Sequence, residues 1–342
     1  MRIIESYNLK NHNTFGFDIT AKKFVEYNNE VELVEFLRLN PPSLEQKWLH
    51  IGSGSNLLFL CDFDGVVFHS AIKFIEIDKQ ENAVFVRVGA GVLWDDFVAE
   101  MVKCGFCGTE NLSLIPGETG AAAVQNIGAY GVEVQDIITK VETIEVFTLR
   151  KRIFDVSECQ YGYRESIFKT DLKGKFIVTA VVFRLSKNPI LKLDYGMLKE
   201  HLNHIENPDI KDVRDAVTEI RQSKLPDVKT LGNAGSFFKN PYCSKEYFEY
   251  LQKIYPKIPN YPVSSTSSDS EFVKLSAAWL IEQCGFKGKV LGGAAVYYLQ
   301  PLVLVNQGNA TPQDIANLAT EIQKAVKEKF GLELETEVNF IS

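Results

Sequence analysis

The hydrophobic positions in the first half of the chain predict mostly short strands. Residues 48–51 and 84–88 have the length and pattern of strands, and each runs directly into a glycine-rich turn. Residues 141–147 and Phe176–Leu185 are two further apolar segments of strand length. The last of these is the longest apolar run in the chain, and it is about half of the ~20 residues that a membrane-spanning helix needs.

Apolar side chains three and four positions apart predict helices elsewhere. One such stripe covers residues 94–102 and ends at Cys104-Gly105. A second covers residues 212–223, with Pro226 just beyond its end, and a third is expected at about 271–284.

The last thirty residues contain clear signals for a helix followed by a strand. A helix is expected to begin at Thr311-Pro312, because a capping threonine precedes proline and Asp314 follows three residues later. It should stop at Gly331. Residues 332–340 then alternate between apolar and polar side chains, which predicts a strand with one buried face and one polar face.

Strands and helices do not alternate regularly along the chain, so the pattern predicts the α+β class. A length of 342 residues favours two or three domains, and the composition is that of a globular protein. We expect a boundary near residues 224–231. Residues 261–269 are polar and serine-rich, which predicts a mobile loop.

The charge balance excludes one broad class of partner. The net charge is −7, whereas binding along nucleic-acid phosphates requires a basic face, so we expect no nucleic-acid partner. The first ten residues lack the apolar stretch of a secretory signal. Together with the absence of a membrane-length apolar run, this favours a cytoplasmic protein.

The cysteines and histidines do not form a recognisable metal or disulfide pattern. Six cysteines in a chain of this length are too few for a disulfide framework. Cys104 and Cys107 form one C-x-x-C pair without a second ligand pair, and His201 and His204 lack a third ligand. We predict no metal site. A thioredoxin-like role for the cysteine pair is the alternative to reduced thiols in a cytosolic protein.

Two segments built from small residues are the first candidates for chemistry. The chain has no G-x-G-x-x-G and no G-x-x-x-x-G-K-[ST], so the common nucleotide-binding motifs are absent. Residues 52–56 and 117–131 instead offer glycine-rich backbone without lysine or arginine. Backbone N–H groups in such loops can approach a pyrophosphate closely. Two tight turns beside a closely packed helix would give the same pattern.

Two polar clusters are the second kind of candidate. Arg164 follows Tyr161-Gly162-Tyr163 and carries a planar guanidinium suited to a carboxylate. The alternative is a surface arginine paired with an acid. Ser236 lies in a small-residue turn ahead of Phe237-Phe238, where its hydroxyl could be exposed in a pocket. The alternative is a simple turn before a buried strand.

These motifs, in this order, resemble the UDP-N-acetylenolpyruvoylglucosamine reductase family, flavoenzymes of bacterial cell-wall precursor synthesis. The resemblance spans almost the whole chain, because seven motifs occur in sequence order. They are Asn13-Thr14-Phe15-Gly16, residues 51–56 (Ile-Gly-Ser-Gly-Ser-Asn), 125–131 (Gln-Asn-Ile-Gly-Ala-Tyr-Gly), 163–169 (Tyr-Arg-Glu-Ser-Ile-Phe-Lys), 223–227 (Ser-Lys-Leu-Pro-Asp), 232–241 (Gly-Asn-Ala-Gly-Ser-Phe-Phe-Lys-Asn-Pro) and 337–341 (Glu-Val-Asn-Phe-Ile).

The resemblance implies an FAD-binding fold of the vanillyl-alcohol-oxidase (PCMH) type in two subdomains, followed by a C-terminal α+β substrate-binding domain. We expect the subdomains at 1–75 and 76–222 and the substrate-binding domain at 223–342. The flavin would be held without a covalent link, because no histidine or cysteine matches a tethering position. The residues matched to flavin binding are Gly52, Ser53, Gly54, Ser55, Asn56, Gly117, Gly120, Asn126, Gly128, Tyr130 and Gly131.

The reaction implied by the family has two halves. NADPH passes a hydride to FAD, and the reduced flavin passes it to the methylene carbon of UDP-N-acetylglucosamine enolpyruvate, giving UDP-N-acetylmuramate. Negative charge then develops on the neighbouring carbon and its carboxylate, and preorganised donors must stabilise it there. By resemblance Arg164 and Glu337 do so, and Ser236 protonates the enolate carbon. Glu337 can help only when it is protonated, because an ionised carboxylate would repel the enolate.

Substrate contacts follow from the same resemblance. Tyr195 matches the tyrosine that closes over the substrate diphosphate in the longer class of these enzymes, Lys224 and Asn240 match residues that hold that diphosphate, and Gln300 matches a sugar-contacting glutamine. The chain departs from the family at Thr336, where the family has proline. We expect a monomer. The alternatives are another non-covalent FAD oxidoreductase of the same fold and a flavin-binding protein without catalysis.

Overall fold

The structure, a computed structural model, describes residues 1–41, 47–188, 190–261 and 271–342. Nearly all of the predicted loop at 261–269 lies outside these ranges. The strands are β1 (Arg2–Asn8), β2 (Thr20–Tyr27), β3 (Lys47–Ile51), β4 (Leu57–Phe59), β5 (Phe63–Ser70), β6 (Ile75–Lys79), β7 (Val84–Gly89), β8 (Gly128–Ala129), β9 (Val132–Glu133), β10 (Ile138–Glu145), β11 (Lys151–Asp155), β12 (Phe176–Leu185), β13 (Gly232–Ser236), β14 (Tyr242–Ser244), β15 (Asn260–Tyr261), β16 (Phe272–Leu275), β17 (Val290–Leu291), β18 (Ala294–Val296), β19 (Val303–Asn306) and β20 (Asn339–Ile341).

The α-helices are α1 (Glu30–Leu39), α2 (Trp94–Lys103), α3 (Thr119–Gln125), α4 (Gly196–Leu202), α5 (Ile210–Lys224), α6 (Lys245–Ile254), α7 (Ala277–Gln283) and α8 (Pro312–Phe330). In the ranges given above, none of them combines the length and the apolar content needed to cross a bilayer.

Most predicted elements are confirmed with small changes at their ends. The four predicted strands correspond to β3, β7, β10 and β12, and three of the predicted helices correspond to α2, α5 and α8. Thr311 caps α8 as expected: its side chain accepts from the N–H of Asp314, whose carboxylate accepts from the N–H of Thr311. Gly331 ends the helix in the left-handed conformation, with φ 63°.

The prediction of one helix at 271–284 is wrong in its first third. Residues 272–275 form β16, which pairs with β14 and β15, and only Ala277–Gln283 is helical. Ser276 separates the two elements, because its side chain accepts from the N–H of Trp279 and caps α7. A tertiary strand pairing therefore replaces the first helical turn.

The predicted strand at 332–340 is also wrong for most of its length. Only Asn339–Ile341 forms a strand, in parallel pairing with β4. Leu332, Leu334 and Val338 are buried as the alternation predicts, whereas Phe340 is 39% exposed. The segment before β20 has one isolated bridge, from Thr336 to Phe238, so side-chain packing rather than a continuous ladder produces its alternation.

The chain forms two compact units. The first comprises Met1–His12, Ile19–Gly54 and Asp62–Ser223, and the second comprises Asn13–Asp18, Ser55–Cys61 and Lys224–Ser342. Two short N-terminal segments therefore group with the C-terminal third of the chain. One of them begins inside the 52–56 glycine motif, so Gly52, Ser53 and Gly54 belong to the first unit and Ser55 and Asn56 to the second.

The first unit contains two main sheets. One has the order β1-β2-β5-β3, with β5 parallel to both of its neighbours, and the other is antiparallel with the order β11-β10-β12-β7-β6. A core that includes Val25, Phe68 and Ile177 joins side chains of both sheets. A larger core packs Trp94 and Phe97 of α2 against the five-stranded sheet. Burial of these apolar surfaces fixes the ends of β3 and β7, from which the glycine loops emerge.

The second unit is built from smaller sheets. Its strand orders are β13-β19-β18-β17, β14-β16-β15 and β20-β4. Helix α8 buries one face, including Ile315, Leu318 and Ile322. The Asn13–Asp18 segment packs beside β13: the N–H of Asn233 donates to the carbonyl oxygen of Thr14 at 3.0 Å. A Cβ on Gly232 would lie 2.3 Å from the carbonyl oxygen of Phe15, so only glycine permits this approach.

Candidate active site

The first glycine loop leaves the end of β3 in the first unit. Gly54 has φ +69°, a conformation that favours glycine. Within the described residues, the backbone N–H groups of Ser53 and Gly54 have no hydrogen-bond acceptor. Successive unsatisfied N–H groups in a small-residue turn make a cradle for an anion. This local geometry fits the flavin pyrophosphate.

The second glycine loop begins with Gly117, at φ +131°, and continues into α3. The N–H groups of Thr119 and Gly120 donate to the carbonyl oxygens of Val92 and Ala90. A Cβ on Gly120 would lie 2.8 Å from the Cβ of Ala90. Gly120 is therefore required for the close packing of α3. A closely packed helix is the alternative to phosphate binding that the sequence left open for this segment.

The Asn126 side chain holds the next part of the loop. Asn126 ends α3 in the left-handed conformation, with φ 47°. Its Nδ2 donates to the carbonyl oxygen of Gly162 at 2.7 Å, and its Oδ1 accepts from the N–H of Gln135 at 3.2 Å. Its side chain therefore ties the glycine loop to the Tyr161-Gly162-Tyr163-Arg164 segment.

Arg164 contacts the same loop. Its Nη2 donates to the carbonyl oxygen of Gly128 at 2.5 Å, and its Nη1 lies 3.9 Å from a carboxylate oxygen of Glu133. A Cβ on Gly128 would lie 2.9 Å from Nη1, so this glycine makes room for the guanidinium. The side chain is 17% exposed. A guanidinium held in this way is a preorganised cationic donor.

Two aromatic residues follow in the first unit. Tyr130 has φ 49°, and its carbonyl oxygen accepts from Asn111 Nδ2 at 3.0 Å, while Gly131 has φ +80°. The Tyr195 ring packs edge-on against the Tyr130 ring, with centroids 5.5 Å apart. The structure therefore brings a residue matched to substrate binding against one matched to flavin binding.

A buried charged group in this loop was not identified as functional from the sequence. Glu118 is 6% exposed, and its Oε1 accepts from Ser53 Oγ at 3.2 Å and lies 3.0 Å from His69 Nε2. His69 Nδ1 lies 2.9 Å from an oxygen of Glu26. The sequence did contain a signal for Glu118, because it is the only charged residue in the stretch 117–131.

In the second unit, the rest of the first glycine motif lies beside Glu337. Asn56 Nδ2 donates to the carbonyl oxygen of Glu337 at 3.1 Å. The carbonyl oxygen of Asn56 accepts from both the N–H and the side-chain amide of Asn339, at 3.1 and 3.2 Å. Ser55 is half-buried in the same turn. Pairing of β4 with β20 therefore fixes Glu337 against the Ser55-Asn56 turn.

Ser236 lies on the strand segment next to Glu337. The N–H of Glu337 donates to the carbonyl oxygen of Phe237 at 2.8 Å. Ser236 is exposed at the end of β13, preceded by Gly235 at φ +71°, while the Phe237 and Phe238 rings are buried. The Phe-Phe pair is buried, as one sequence interpretation predicts, and the neighbouring Ser236 is exposed, as the other predicts.

The three residues matched to substrate binding in the second unit occupy separate places. Lys224 is half-buried at the end of α5. Asn240 Oδ1 accepts from the N–H of Ala277 at 2.9 Å and so supports the start of α7. Gln300 Oε1 accepts from the N–H of Leu302 at 3.4 Å in the turn before β19. Lys239 Nζ, near Ser236 in sequence, pairs with Glu335 at 3.1 Å.

The cysteine pair has an asymmetric environment. Cys104 is exposed, whereas Cys107 is buried and its Sγ donates to Glu110 at 3.1 Å. Burial and the neighbouring Glu110 raise the pKa of the Cys107 thiol to about 12, which keeps it protonated. Among the described residues, no three His, Cys, Asp or Glu side chains are grouped to hold a metal ion.

Comparison with known proteins shows which family carries this arrangement. A family model for an FAD binding domain matches residues 21–147, and one for the C-terminal domain of UDP-N-acetylenolpyruvoylglucosamine reductase matches residues 226–341. The reductase of that name from Bacteroides fragilis is 47% identical over 341 residues, which cover 98% of this chain and 99% of that protein. The chain belongs to the UDP-N-acetylenolpyruvoylglucosamine reductase family.

A further relative agrees with this membership, and solved structures share the fold. The family member from Flavobacterium johnsoniae is 46% identical over the full length of both chains. The crystal structure of the Thermus caldophilus reductase matches all of this chain and 98% of that one, with a TM-score of 0.68 and 24% identity. A 6-hydroxy-D-nicotine oxidase from Arthrobacter nicotinovorans matches 97% of this chain and 86% of that one, with a TM-score of 0.56 and 13% identity.

Family membership settles the cofactor and the fold class. The chain is an FAD-dependent oxidoreductase with NADPH as its reductant, and its fold is the vanillyl-alcohol-oxidase type followed by the C-terminal domain of the reductase family. The expectations for fold, cofactor and enzyme class are confirmed.

Proposed function

We propose that the chain reduces UDP-N-acetylglucosamine enolpyruvate to UDP-N-acetylmuramate through Arg164, Ser236 and Glu337. The membership of the reductase family supports the substrate. The observation that supports the residue roles is the hydrogen bond from the N–H of Glu337 to the carbonyl oxygen of Phe237, which holds Glu337 next to the strand end that carries Ser236. A proton donor and an enolate stabiliser must lie near each other to act on one substrate.

When bound, FAD supplies the hydride that passes from NADPH to the methylene carbon of the substrate. The protein would hold its phosphates on the N–H groups of the Gly52-Ser53-Gly54 turn and the small residues of 117–131, without a covalent link. Ser55 and Asn56 are assigned to the flavin by the family resemblance. The assignment to the Gly52-Ser53-Gly54 turn also rests on the N–H groups of Ser53 and Gly54, which have no hydrogen-bond acceptor among the described residues.

The chain's own residues handle the charge that develops on the substrate. Arg164 binds the carboxylate through its planar N–H donors, and a protonated Glu337 donates to the enolate oxygen. Ser236 Oγ gives its proton to the carbon next to the one that accepts the hydride. The carbon–carbon double bond thereby becomes a single bond with one hydride and one proton added. Solvent then reprotonates the serine.

Substrate binding, domain division and assembly complete the proposal. The diphosphate and sugar of the substrate would be contacted by Tyr195, Lys224, Asn240 and Gln300. A lysine is a suitable point-charge partner for a diphosphate.

We assign residues 1–75 and 76–222 to the two flavin subdomains and 223–342 to the substrate-binding domain. The working form is a cytoplasmic monomer.

Separate measurement of the two half-reactions tests the role of Ser236. Flavin absorbance near 450 nm should fall when NADPH is added without oxygen and recover when the enolpyruvyl substrate follows. Ser236→Ala should leave the first step within about twofold and slow the second by about 10²–10⁴-fold, because only the second needs its proton. Ser244→Ala, which removes a helix cap at the start of α6, is the matched control and should change neither step.

Two outcomes would contradict the proposal. Equal slowing of both steps would mean that Ser236 shapes the site instead of donating a proton. Rapid flavin reduction without reoxidation by the enolpyruvyl substrate in the unmodified protein would favour another FAD oxidoreductase of this fold.

A further inference from the structure

We propose that Glu118 positions the Gly52-Ser53 turn for FAD and that His69, bound to Glu118, compensates its charge so that the flavin phosphates can approach. The inference rests on the proposed placement of these phosphates on the Gly52-Ser53-Gly54 turn. It concerns residues of the first unit alone, and none of the assigned catalytic or substrate-binding roles uses them.

Glu118 contacts Ser53 and lies close to Gly52. Its Oε1 accepts from Ser53 Oγ at 3.2 Å, and a Cβ on Gly52 would lie 3.2 Å from its Oε2. The side chain is almost fully buried. A buried carboxylate at this distance fixes the serine hydroxyl, but it also places negative charge directly beside a loop proposed to receive an anion. Such a like-charge arrangement opposes binding of the anion unless a cation offsets it.

His69 supplies the offsetting charge. It lies on β5, where its register partner on the parallel neighbour β2 is Glu26. One ring nitrogen is 3.0 Å from Glu118 and the other is 2.9 Å from Glu26. Two ionised carboxylates can only accept hydrogen bonds, so a ring that bonds to both must carry a proton on each nitrogen. That form is the imidazolium cation.

The surroundings of the ring support the same protonation state. Burial by itself lowers the pKa of His69, but the hydrogen bonds and charges of Glu118 and Glu26 outweigh burial and raise it above 6.5. With the ring protonated, the three side chains carry a net charge of −1. Loss of the proton from His69 changes the net charge of the three side chains to −2, beside the same loop. FAD affinity should therefore fall as pH rises through the pKa of His69.

The other titratable groups around His69 do not change charge in that interval. The His12 ring lies 5.0 Å from the His69 ring, and burial followed by the charge of His69 lowers the pKa of His12 to about 4. Burial, again with the charge of His69, lowers the pKa of His50 to about 3. Tyr27 bonds to His50 at 2.7 Å, and burial raises its pKa far above neutrality. The pH response near and above 6.5 therefore belongs to His69.

Titration of the flavin-free protein with FAD tests the inference without measuring turnover. Flavin fluorescence gives the dissociation constant between pH 6 and 9. The unmodified protein should bind FAD more weakly as pH rises. His69→Gln should weaken binding by about tenfold to a hundredfold at pH 6.5 and remove the pH dependence, because Glu118 loses its cation. The double change His69→Gln/Glu118→Gln should recover most of that loss, since both charges then disappear.

The outcomes separate charge compensation from a purely structural role. A double variant as weak as His69→Gln, or a His69→Gln variant that binds like the unmodified protein, would overturn the inference. If circular dichroism shows that His69→Gln is unfolded, Glu118→Gln provides the test instead. In that variant His69 loses one anionic partner, and the pH dependence of FAD binding should shrink. An unchanged pH profile in Glu118→Gln, or a flat profile in the unmodified protein, would also overturn it.

Gly54→Ala distinguishes this inference from the placement of FAD on which it rests. Alanine at φ +69° strains the turn, so this variant should bind FAD more weakly if the phosphates lie there. Weaker binding in Gly54→Ala but not in His69→Gln would retain the placement and reject the role of His69. Unchanged binding in both would reject the placement itself.

Discussion

The guanidinium of Arg164 donates a hydrogen bond to the carbonyl oxygen of Gly128 at 2.5 Å. Gly128 belongs to a motif matched to flavin binding, whereas Arg164 is the residue proposed to hold the substrate carboxylate. A second donor nitrogen, Nη1, lies 3.5 Å from the carbonyl oxygen of Asn126. In the proposed mechanism, the side chain that bonds to this loop also supplies the charge that the second half-reaction requires.

Arg164→Lys should impair both of these roles. Lysine keeps the positive charge but cannot bridge two carbonyl oxygens through a planar fork. We expect reoxidation of the reduced flavin by substrate to slow by about 10²–10³-fold and FAD affinity to fall by a few fold. Stopped-flow absorbance and flavin fluorescence measure the two effects. Arg152→Lys, a change at a half-exposed arginine of β11, is the control and should alter neither. Normal substrate reoxidation in Arg164→Lys would exclude Arg164 from enolate stabilisation.

Tyr195→Phe should weaken substrate binding more than NADPH binding. The Tyr195 ring packs against Tyr130 and neighbouring apolar side chains, and phenylalanine preserves that packing while removing only the hydroxyl. We expect the KM for the enolpyruvyl substrate to rise by about tenfold, the loss of one hydrogen bond to a charged group, with little change in the KM for NADPH or in Tm. Tyr250→Phe, at an exposed position on α6, provides the comparison. Equal changes for the two ligands would remove Tyr195 from the substrate site.

Glu142 should make the stability of the protein depend on pH in the acid range. Its carboxylate accepts from Arg87 Nε and Lys151 Nζ, both at 2.7 Å, and its side chain is 8% exposed. Burial opposes ionisation, but these two partners outweigh burial and lower the pKa of Glu142 below its usual value of 4.5. The stabilisation is therefore complete above about pH 4.5 and is lost as pH falls through the folded-state pKa.

The variant Glu142→Gln tests this pH dependence of stability directly. At pH 7 it should cost about 2 kcal/mol and lower Tm by about 5 °C, because the charge-assisted hydrogen bonds to Arg87 and Lys151 are weakened or lost. The Tm values of the two proteins should converge as pH falls below 4. Glu158→Gln, at an exposed pair with Arg152, should show no comparable difference. A Tm difference that is constant between pH 3 and 7 would mean that the charge of Glu142 does not contribute.

Local sequence patterns determined the elements whose ends depend on contacts three or four residues apart. Helix α8 is an example, because Thr311, Asp314 and Gly331 define its ends through caps made within the helix itself. The order of the motifs was enough to indicate the family, because each glycine-rich turn and polar cluster can be read from its own residues. The candidate roles of Arg164, Ser236 and Glu337 came from that resemblance and not from spacing alone.

Tertiary pairing decided the rest. Residues 272–275 became β16 because two other strands pair with them, although their sequence also suits a helix. Glu118 and His69 meet only because β2, β3 and β5 align in parallel and the second glycine loop returns to the end of β3. Strand register and loop return depend on burial across the whole unit, and a one-dimensional pattern of polar and apolar residues does not specify them.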